Sequence, residues 1–206
     1  MSVDIIDLGM GNVSSIVNLL NRLDIHIRLV SRPSDLNSNT IIIPGVGAIG
    51  AYVGRFRSLG FHDAIYSCAE KGKQVIGICL GFQLLTQWSE ESGGIECLGL
   101  IKAQTRRLKG ATTHNGWETF NFDRRTIADN TSFRAPSLTR KYLVNGRVYY
   151  NHEYGVECFD EKAITIPIDS FNERYSAMVV KDNVVGLQFH PEKSQSTGLA
   201  LFKQLL

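Results

Sequence analysis

Apolar runs and helical spacings alternate along the first half of the chain. Four runs are almost continuously apolar and too short for ordinary helices, so they predict strands: residues 3–7, 26–30, 40–45 and 74–78. Apolar side chains that recur every three or four positions predict helices: residues 9–24, 61–73 and 81–90. Asn12 or Ser14 is the expected N-cap of the first helix. This order predicts a largely parallel sheet flanked by helices.

The second half of the chain has a different pattern, with alternating segments and little helical spacing. Strands are predicted within residues 101–108, 117–122, 147–154 and 163–168. Residues 175–192 predict a hairpin that turns at 181–183, and residues 194–206 predict a closing amphipathic helix. The sequence therefore predicts an α/β protein with a central, largely parallel sheet and additional antiparallel strands in its second half. Its length predicts a single domain over residues 1–206.

Composition and charge narrow the classes of function. A net charge of +2 is too small to indicate a nucleic-acid or anionic-membrane partner. The chain opens without a recognisable signal peptide, and no apolar run is long enough to span a bilayer, so we expect a soluble cytoplasmic protein. The four cysteines form no C-x-x-C pair, and Ser14 stands where a dinucleotide fingerprint needs its third glycine. We expect no metal and no cofactor.

The segment Gly77-Ile78-Cys79-Leu80-Gly81 places a cysteine between glycines at a predicted strand-to-helix junction. A sharp turn there forces the cysteine side chain outward, as in a nucleophile elbow, and the start of a helix favours the thiolate. The Leu80 N–H would point into the same space and could stabilise an oxyanion. The alternative is a small buried core residue, since free cysteines are commonly buried. Cys68, Cys97 and Cys158 lack such a setting and are expected to be inert.

A thiol nucleophile needs a base, and the base needs a group that orients it. Of the five histidines, His190 follows an apolar strand, and the carboxyl edge of a parallel sheet would place it near the elbow. Glu192 follows two residues later, across Pro191, and can reach the imidazole. H-P-E alone is equally typical of a polar turn, but its combination with the elbow indicates a catalytic site.

Three segments together resemble the signatures of class I glutamine amidotransferases: "PGVGA" (44–48), "GICLGFQLL" (77–85) and "GLQFHPEKSQ" (186–195). The opening "DLGMGNVSSI" (7–16) and the central "HNGWE" (114–118) resemble one branch of that family, the glutaminase subunits of imidazole glycerol phosphate synthase. The resemblance extends over essentially the whole chain.

The resemblance implies a role for each matching position. Cys79 would attack the side-chain amide of L-glutamine, His190 would transfer the proton, and Glu192 would orient His190. The oxyanion hole would use backbone N–H groups of Leu80 and of Val46 or Gly47. The remaining substrate-binding positions implied by the resemblance are Gly47, Gln83, Glu153 and Tyr154.

The resemblance also implies a partner. Ammonia would pass to a HisF-type (β/α)8 cyclase in a heterodimer, docked on a face that carries Asn12, Trp117 and Lys193. The chain departs from the common pattern at Glu118 and Glu153, where the family favours neutral residues. These departures leave open a paralogue that supplies ammonia for a sugar in surface polysaccharide synthesis. A γ-glutamyl hydrolase and a catalytically dead binding module also stay open as hypotheses.

Overall fold

The computed structural model describes residues 1–122, 144–172 and 174–206. Its strands, in chain order, are Ser2–Ile6 (β1), His26–Val30 (β2), Thr40–Gly45 (β3), Gln74–Cys79 (β4), Trp88–Ser89 (β5), Ile95–Glu96 (β6), Ala103–Arg107 (β7), His114–Phe122 (β8), Val144–His152 (β9), Tyr154–Cys158 (β10), Ile164–Pro167 (β11), Ser176–Lys181 (β12) and Val184–Leu187 (β13). The helices within the described ranges are Val13–Asn21 (α1), Ile49–Ser58 (α2), Phe61–Glu70 (α3), Leu80–Leu85 (α4) and Gln195–Leu205 (α5).

The main sheet has seven strands in the order β11-β12-β13-β4-β3-β1-β2. The strands from β13 to β2 run parallel, whereas β11 and β12 add an antiparallel edge. Every residue of β3 is buried, and hydrophobic clusters cover both faces of the sheet. The predicted α/β class with a largely parallel sheet is confirmed, and β2 and β3 have the predicted bounds.

Within the described residues, two smaller sheets are built from strands between Trp88 and Cys158. One has the order β10-β7-β5-β6, and the other is the antiparallel pair β8-β9. The predicted hairpin is present between β12 and β13, where Lys181 pairs with Val184 across a two-residue turn. Asp182 adopts a φ of 51° in that turn, a conformation that Asp and Asn tolerate better than most residues. The predicted antiparallel strands of the second half are therefore confirmed.

The helix predictions differ from the structure in three places. Helix α2 was not predicted. The helix predicted over 81–90 ends at Leu85, because Thr86 is extended and its hydroxyl donates to the Gln83 carbonyl. Helix α1 is shorter than predicted and begins after Asn12, whose side chain accepts a bond from the Ser15 hydroxyl instead of capping a backbone N–H. None of the helices in the described ranges is long and apolar enough to cross a membrane.

Candidate active site

The predicted strand-to-helix turn is centred on Cys79, the last residue of β4, directly before α4. Cys79 has φ 53° and ψ −106°, and a positive φ is strained for a residue with a Cβ atom. Its side chain is almost buried at 6% exposure. Strained backbone of this kind persists only where the surrounding structure enforces it, and it is common at functional sites. The surrounding structure therefore enforces the strained turn at the edge of the sheet.

The glycines of the elbow are required by close backbone packing. A Cβ atom on Gly81 would lie 1.8 Å from the Ile43 carbonyl oxygen of the neighbouring strand. A Cβ atom on Gly77 would lie 2.6 Å from the Gly81 carbonyl oxygen. Real Cβ atoms do not approach other atoms so closely, so the turn can fold against β3 only without side chains at these two positions. The two glycines that flank Cys79 in the sequence are thus required by close packing of the backbone.

The histidine expected opposite the elbow lies beside its carboxylate. His190 Nδ1 is 2.9 Å from Glu192 Oε1, and the two side chains are only 3% and 1% exposed. Burial alone would lower the pKa of His190, but its interactions with Cys79 and Glu192 outweigh burial and raise that pKa to about 10. The Ser194 hydroxyl donates to the His190 carbonyl and stabilises the turn through Pro191. The arrangement favours a protonated imidazole between the Cys79 sulfur and the Glu192 carboxylate.

One cavity of about 420 Å³ brings most of the predicted site residues together. It lies between the elbow, the loop after β3 and the junction of β9 and β10. The predicted residues that line it are Val46, Gly47, Cys79, Leu80, Gln83, Glu153, Tyr154 and His190. Glu192 lies behind His190 and does not line the cavity. Its size suits a small polar molecule.

Gln83 is buried at 3% exposure, and its Nε2 donates to the Tyr154 carbonyl over 2.9 Å. This bond ties the elbow helix to β10 across the cavity. Glu153 lies on the cavity rim, 3.8 Å from an Arg107 nitrogen, with both side chains more than half exposed. An ion pair as open as this contributes little to stability. The Glu153 carboxylate is therefore free to face a ligand.

Several cavity residues were not found from the sequence. They are Ala48, Glu91, Thr113, Asn151 and His152. The Glu91 carboxylate accepts the Ile49 N–H over 3.3 Å, and burial raises the pKa of Glu91. Glu91 stands in an irregular turn with no local pattern, whereas His152 directly precedes Glu153 and could have been noticed there.

Gln188 was not predicted either. Its side chain is fully buried, and its Nε2 lies 3.9 Å from Cys79 Sγ, at the outer limit of a hydrogen bond to sulfur. Its place two residues before His190 is the signal that could have identified it. The short segment between β13 and His190 thus also contacts the thiol.

The sequence matches the model of the family "Glutamine amidotransferase class-I" over residues 4–205. The chain belongs to this family. It is 35% identical to imidazole glycerol phosphate synthase subunit HisH of Oceanobacillus iheyensis over 205 residues, covering 98% of this chain and 96% of that protein. It is 34% identical to subunit HisH 2 of Methanococcus maripaludis, covering 99% and 98%. This class I glutamine amidotransferase is accordingly a HisH-like enzyme.

Solved structures agree with the family in fold. A structure of a glutamine amidotransferase matches with a TM-score of 0.72 at 17% identity, covering 97% of this chain and 95% of that one. The PurLQS structure from Thermotoga maritima matches with a TM-score of 0.68 at 20% identity, covering 99% and 96%. At such low identities these likenesses establish the amidotransferase fold alone.

The three residues expected at a partner face are partly gathered on the surface of this amidotransferase. The Trp117 ring, 37% exposed, packs edge-on against the Tyr149 ring, with 5.7 Å between their centres. Lys193 Nζ lies 5.4 Å from the centre of the Tyr149 ring. Asn12 starts α1, which packs against the turn that carries Lys193. Tyr149 joins Trp117 to Lys193 and was not predicted. Glu118, expected near that face, instead directs its carboxylate to His114 inside the chain.

Proposed function

We propose that this chain is the glutaminase subunit of an imidazole glycerol phosphate synthase. It hydrolyses L-glutamine to glutamate and ammonia, and the ammonia serves a HisF-type (β/α)8 cyclase that forms imidazole glycerol phosphate and AICAR in histidine biosynthesis. One observation carries the glutaminase part: a strained, nearly buried Cys79 shares a cavity with His190, which is paired with Glu192. The HisH relatives support the choice of pathway.

In the proposed mechanism the Cys79 sulfur attacks the side-chain amide carbon of glutamine. His190 holds the proton that the Cys79 thiol has given up and gives it to the departing ammonia, which leaves a thioester. Water, deprotonated by His190, then attacks the thioester and releases glutamate and the thiol. Glu192 holds the imidazole at Nδ1, so that Nε2 is the nitrogen that exchanges protons.

The negative charge that develops on the amide oxygen needs preorganised donors. We assign this role to the backbone N–H of Leu80 and to that of Val46 or Gly47, which line the cavity beside the thiol. Each such donor contributes about 3 to 4 kcal/mol to the transition state. Gly47, Gln83, Glu153 and Tyr154 then hold the rest of the substrate.

The proposed docking face carries Asn12, Trp117 and Lys193. The exposed Trp117 packs edge-on against Tyr149, whose ring Lys193 also contacts, and aromatic side chains are enriched in protein interfaces. A barrel partner could conduct ammonia along its axis, sheltered from protonation by water. Residues 1–206 act in this proposal as one cytoplasmic glutaminase domain within a heterodimer.

The test follows release of ammonia and glutamate from L-glutamine. The chain is assayed alone, with a histidine-pathway cyclase and with a paralogous cyclase-like protein, each partner with its own substrate present. We expect slow turnover alone and strong activation by the histidine-pathway cyclase. Activation only by the paralogue would overturn the pathway assignment. Preferential hydrolysis of a γ-glutamyl amide without any partner would overturn the amidotransferase role.

A further inference from the structure

A second buried cluster connects strand β8 with the rim of the active-site cavity. His114 and His152 face each other across the β8-β9 pair, with His114 Nδ1 3.1 Å from His152 Nε2. His152 Nδ1 lies 2.8 Å from the Tyr154 carbonyl oxygen, and His114 Nε2 lies 2.8 Å from Glu118 Oε1. The path therefore extends from Glu118 through two imidazoles to a carbonyl.

The end of this path belongs to the active site. The Tyr154 carbonyl accepts a hydrogen bond from Gln83 Nε2 as well as from His152. His152, Gln83 and Tyr154 all line the cavity that holds Cys79. The two donors converge on one carbonyl oxygen and fix both the Gln83 amide and the start of β10. The position of His152 thus bears on the shape of the pocket.

The direction of each hydrogen bond follows from what a carbonyl can do. A carbonyl only accepts, so His152 carries its proton on Nδ1, and its Nε2 accepts from His114 Nδ1–H. The remaining nitrogen, His114 Nε2, then faces the Glu118 carboxylate. That contact is favourable only if a proton lies between them, either on His114 Nε2 or on the carboxyl group. The Tyr154 carbonyl thus fixes the direction of the path, and Glu118 decides whether its last nitrogen, His114 Nε2, is satisfied.

The groups packed around His114 and Glu118 include charged side chains that can influence the proton between them. The His114 ring stacks on Tyr150 at 4.3 Å and meets the edge of Phe171 at 5.3 Å, so two of its sides are closed by aromatic rings. The open side is a cleft at Glu118. The titratable or charged groups around the path, in addition to its own members, are Lys109, Arg174, Asp169 and His190.

We propose that Glu118 is a positioning residue for the glutamine pocket, acting through His114 and His152 on the Tyr154 carbonyl that holds Gln83. This inference rests on the proposed glutamine site. Burial lowers the pKa of His114, and Glu118 opposes that effect only in part, so the protonation of His114 depends on this contact.

A metal site is the rival use of two histidines and a carboxylate. The geometry opposes it, because His114 Nδ1 and His152 Nε2 contact each other directly and leave no space for an ion between them. Over the described ranges, no three His, Cys, Asp or Glu side chains are arranged to hold a metal ion.

The experiment compares Glu118→Leu and Glu118→Gln in the full chain, together with whichever cyclase activates it. Leucine removes the partner of His114, and the KM for glutamine should rise about tenfold or more while kcat changes far less. Glutamine can donate its amide N–H to His114 Nε2 without any shared proton. Glu118→Gln should therefore keep the wild-type KM at neutral pH but abolish the pH dependence that the shared proton gives to KM.

The controls are Glu161→Leu and Glu161→Gln. Glu161 is an exposed carboxylate in the turn between β10 and β11, outside the path. Both control variants should keep the wild-type KM and its pH profile.

Imidazole ¹⁵N spectra provide a readout that does not depend on turnover. In the wild-type chain His152 should be neutral with its proton on Nδ1 across about pH 5 to 9. His114 should keep its Nδ1 proton in every variant, because His152 Nε2 accepts it. His114 Nε2 should carry a pH-dependent proton in the wild-type chain, accept from the amide in Glu118→Gln and have no partner in Glu118→Leu. If Glu118→Leu does not fold, Glu118→Gln decides alone through its pH profile and spectrum.

An unchanged KM in Glu118→Leu, or a wild-type pH profile in Glu118→Gln, would overturn the proposal. A wild-type chain that turns over no glutamine with any partner would instead refute the proposed function, and the spectra would still decide whether Glu118 fixes the histidines.

Discussion

Two buried histidines in this protein each have a carboxylate close by, yet burial prevails at only one of them. His190 lies 2.9 Å from Glu192, and His114 lies 2.8 Å from Glu118. The pKa of His190 is raised to about 10, whereas the pKa of His114 is lowered. His114 contacts a second imidazole, and the pKa of that residue, His152, falls to about 3 through burial and the proximity of His114.

The difference lies in the other neighbour of each ring. His190 stands between two groups that favour its charge, the Cys79 thiol and the Glu192 carboxylate, and together they overcome desolvation. His114 has one such group and one competing histidine. A histidine–carboxylate pair therefore does not by itself indicate a charged catalytic base. The group on the other side of the ring decides the role of the pair. Cys79 allows the His190–Glu192 pair to transfer a proton, whereas His152 makes the His114–Glu118 pair one that fixes neighbouring side chains.

The largest expected effect comes from removing the thiol of the first cluster, which consists of Cys79, His190 and Glu192. Cys79→Ala should lower glutamine turnover by at least about 10⁴-fold, because no other group can form the thioester. Released glutamate is the measurement. Cys68→Ala, Cys97→Ala and Cys158→Ala are matched controls and should keep most of the activity. A Cys79→Ala chain with wild-type turnover would refute the mechanism.

The next effect tests whether the first cluster acts as a unit. His190→Ala should cost nearly as much activity as Cys79→Ala, and Glu192→Gln about 10- to 100-fold less, because glutamine can still hold the ring. The triple variant should be little worse than the worst single variant. Single, double and triple variants are compared by kcat/KM for glutamine, and losses that simply multiply would argue against concerted action.

A third prediction concerns the backbone that fixes the nucleophile. Gly81→Ala places a Cβ atom 1.8 Å from the Ile43 carbonyl oxygen, so the elbow must shift and the free energy of unfolding should fall by several kcal/mol. Gly54→Ala in α2 is the control, since its Cβ meets nothing within 4 Å. That control should be stabilised by about 0.5 to 1 kcal/mol. Urea unfolding measures both, and equal stabilities would show that the elbow is not constrained as described.

The last prediction concerns the effect of pH on stability, which has opposite signs for the two clusters. The lowered pKa of His152 means that the unfolded chain binds a proton more readily, so stability falls as pH drops from about 6.5 toward 3, by up to about 1.4 kcal/mol per pH unit. The raised pKa of His190 stabilises the fold below about 6.5, and this contribution is lost as pH rises toward 10.

Two variants distinguish the loss of stability at acid pH from the loss at alkaline pH. His152→Gln should flatten the acid limb of a plot of unfolding free energy against pH, and His190→Gln should flatten the alkaline limb. The reverse assignment, or no change in either limb, would contradict the account of the two clusters.

The first cluster could be predicted from the sequence because its signals are local. Gly77 and Gly81 flank Cys79 within one turn, and His190 and Glu192 are two residues apart. The second cluster depends on the β8-β9 pairing that places His114 opposite His152, and no local pattern gives that register. The same long-range cause shortened α4, since the pairing of β5 with β7 directs the chain away after Leu85.

Helix α2 was missed for a different reason. Its buried residues are spaced as in a helix, but Gly50 and Gly54 interrupt the pattern and lower its helix propensity. Gly50 is needed for packing, since a Cβ atom there would lie 2.8 Å from the Ser92 hydroxyl. Tertiary packing thus overrides local propensity in α2.

The most direct test of the central claim is covalent trapping with a glutamine analogue that carries a diazoketone in place of the side-chain amide. Intact-mass measurement and peptide mapping then locate the adduct. The account predicts one adduct, on Cys79, that excess L-glutamine suppresses and that fails to form in His190→Ala. An adduct on Cys68, Cys97 or Cys158, or full glutamine turnover by a chain whose Cys79 remains unlabelled, would contradict it.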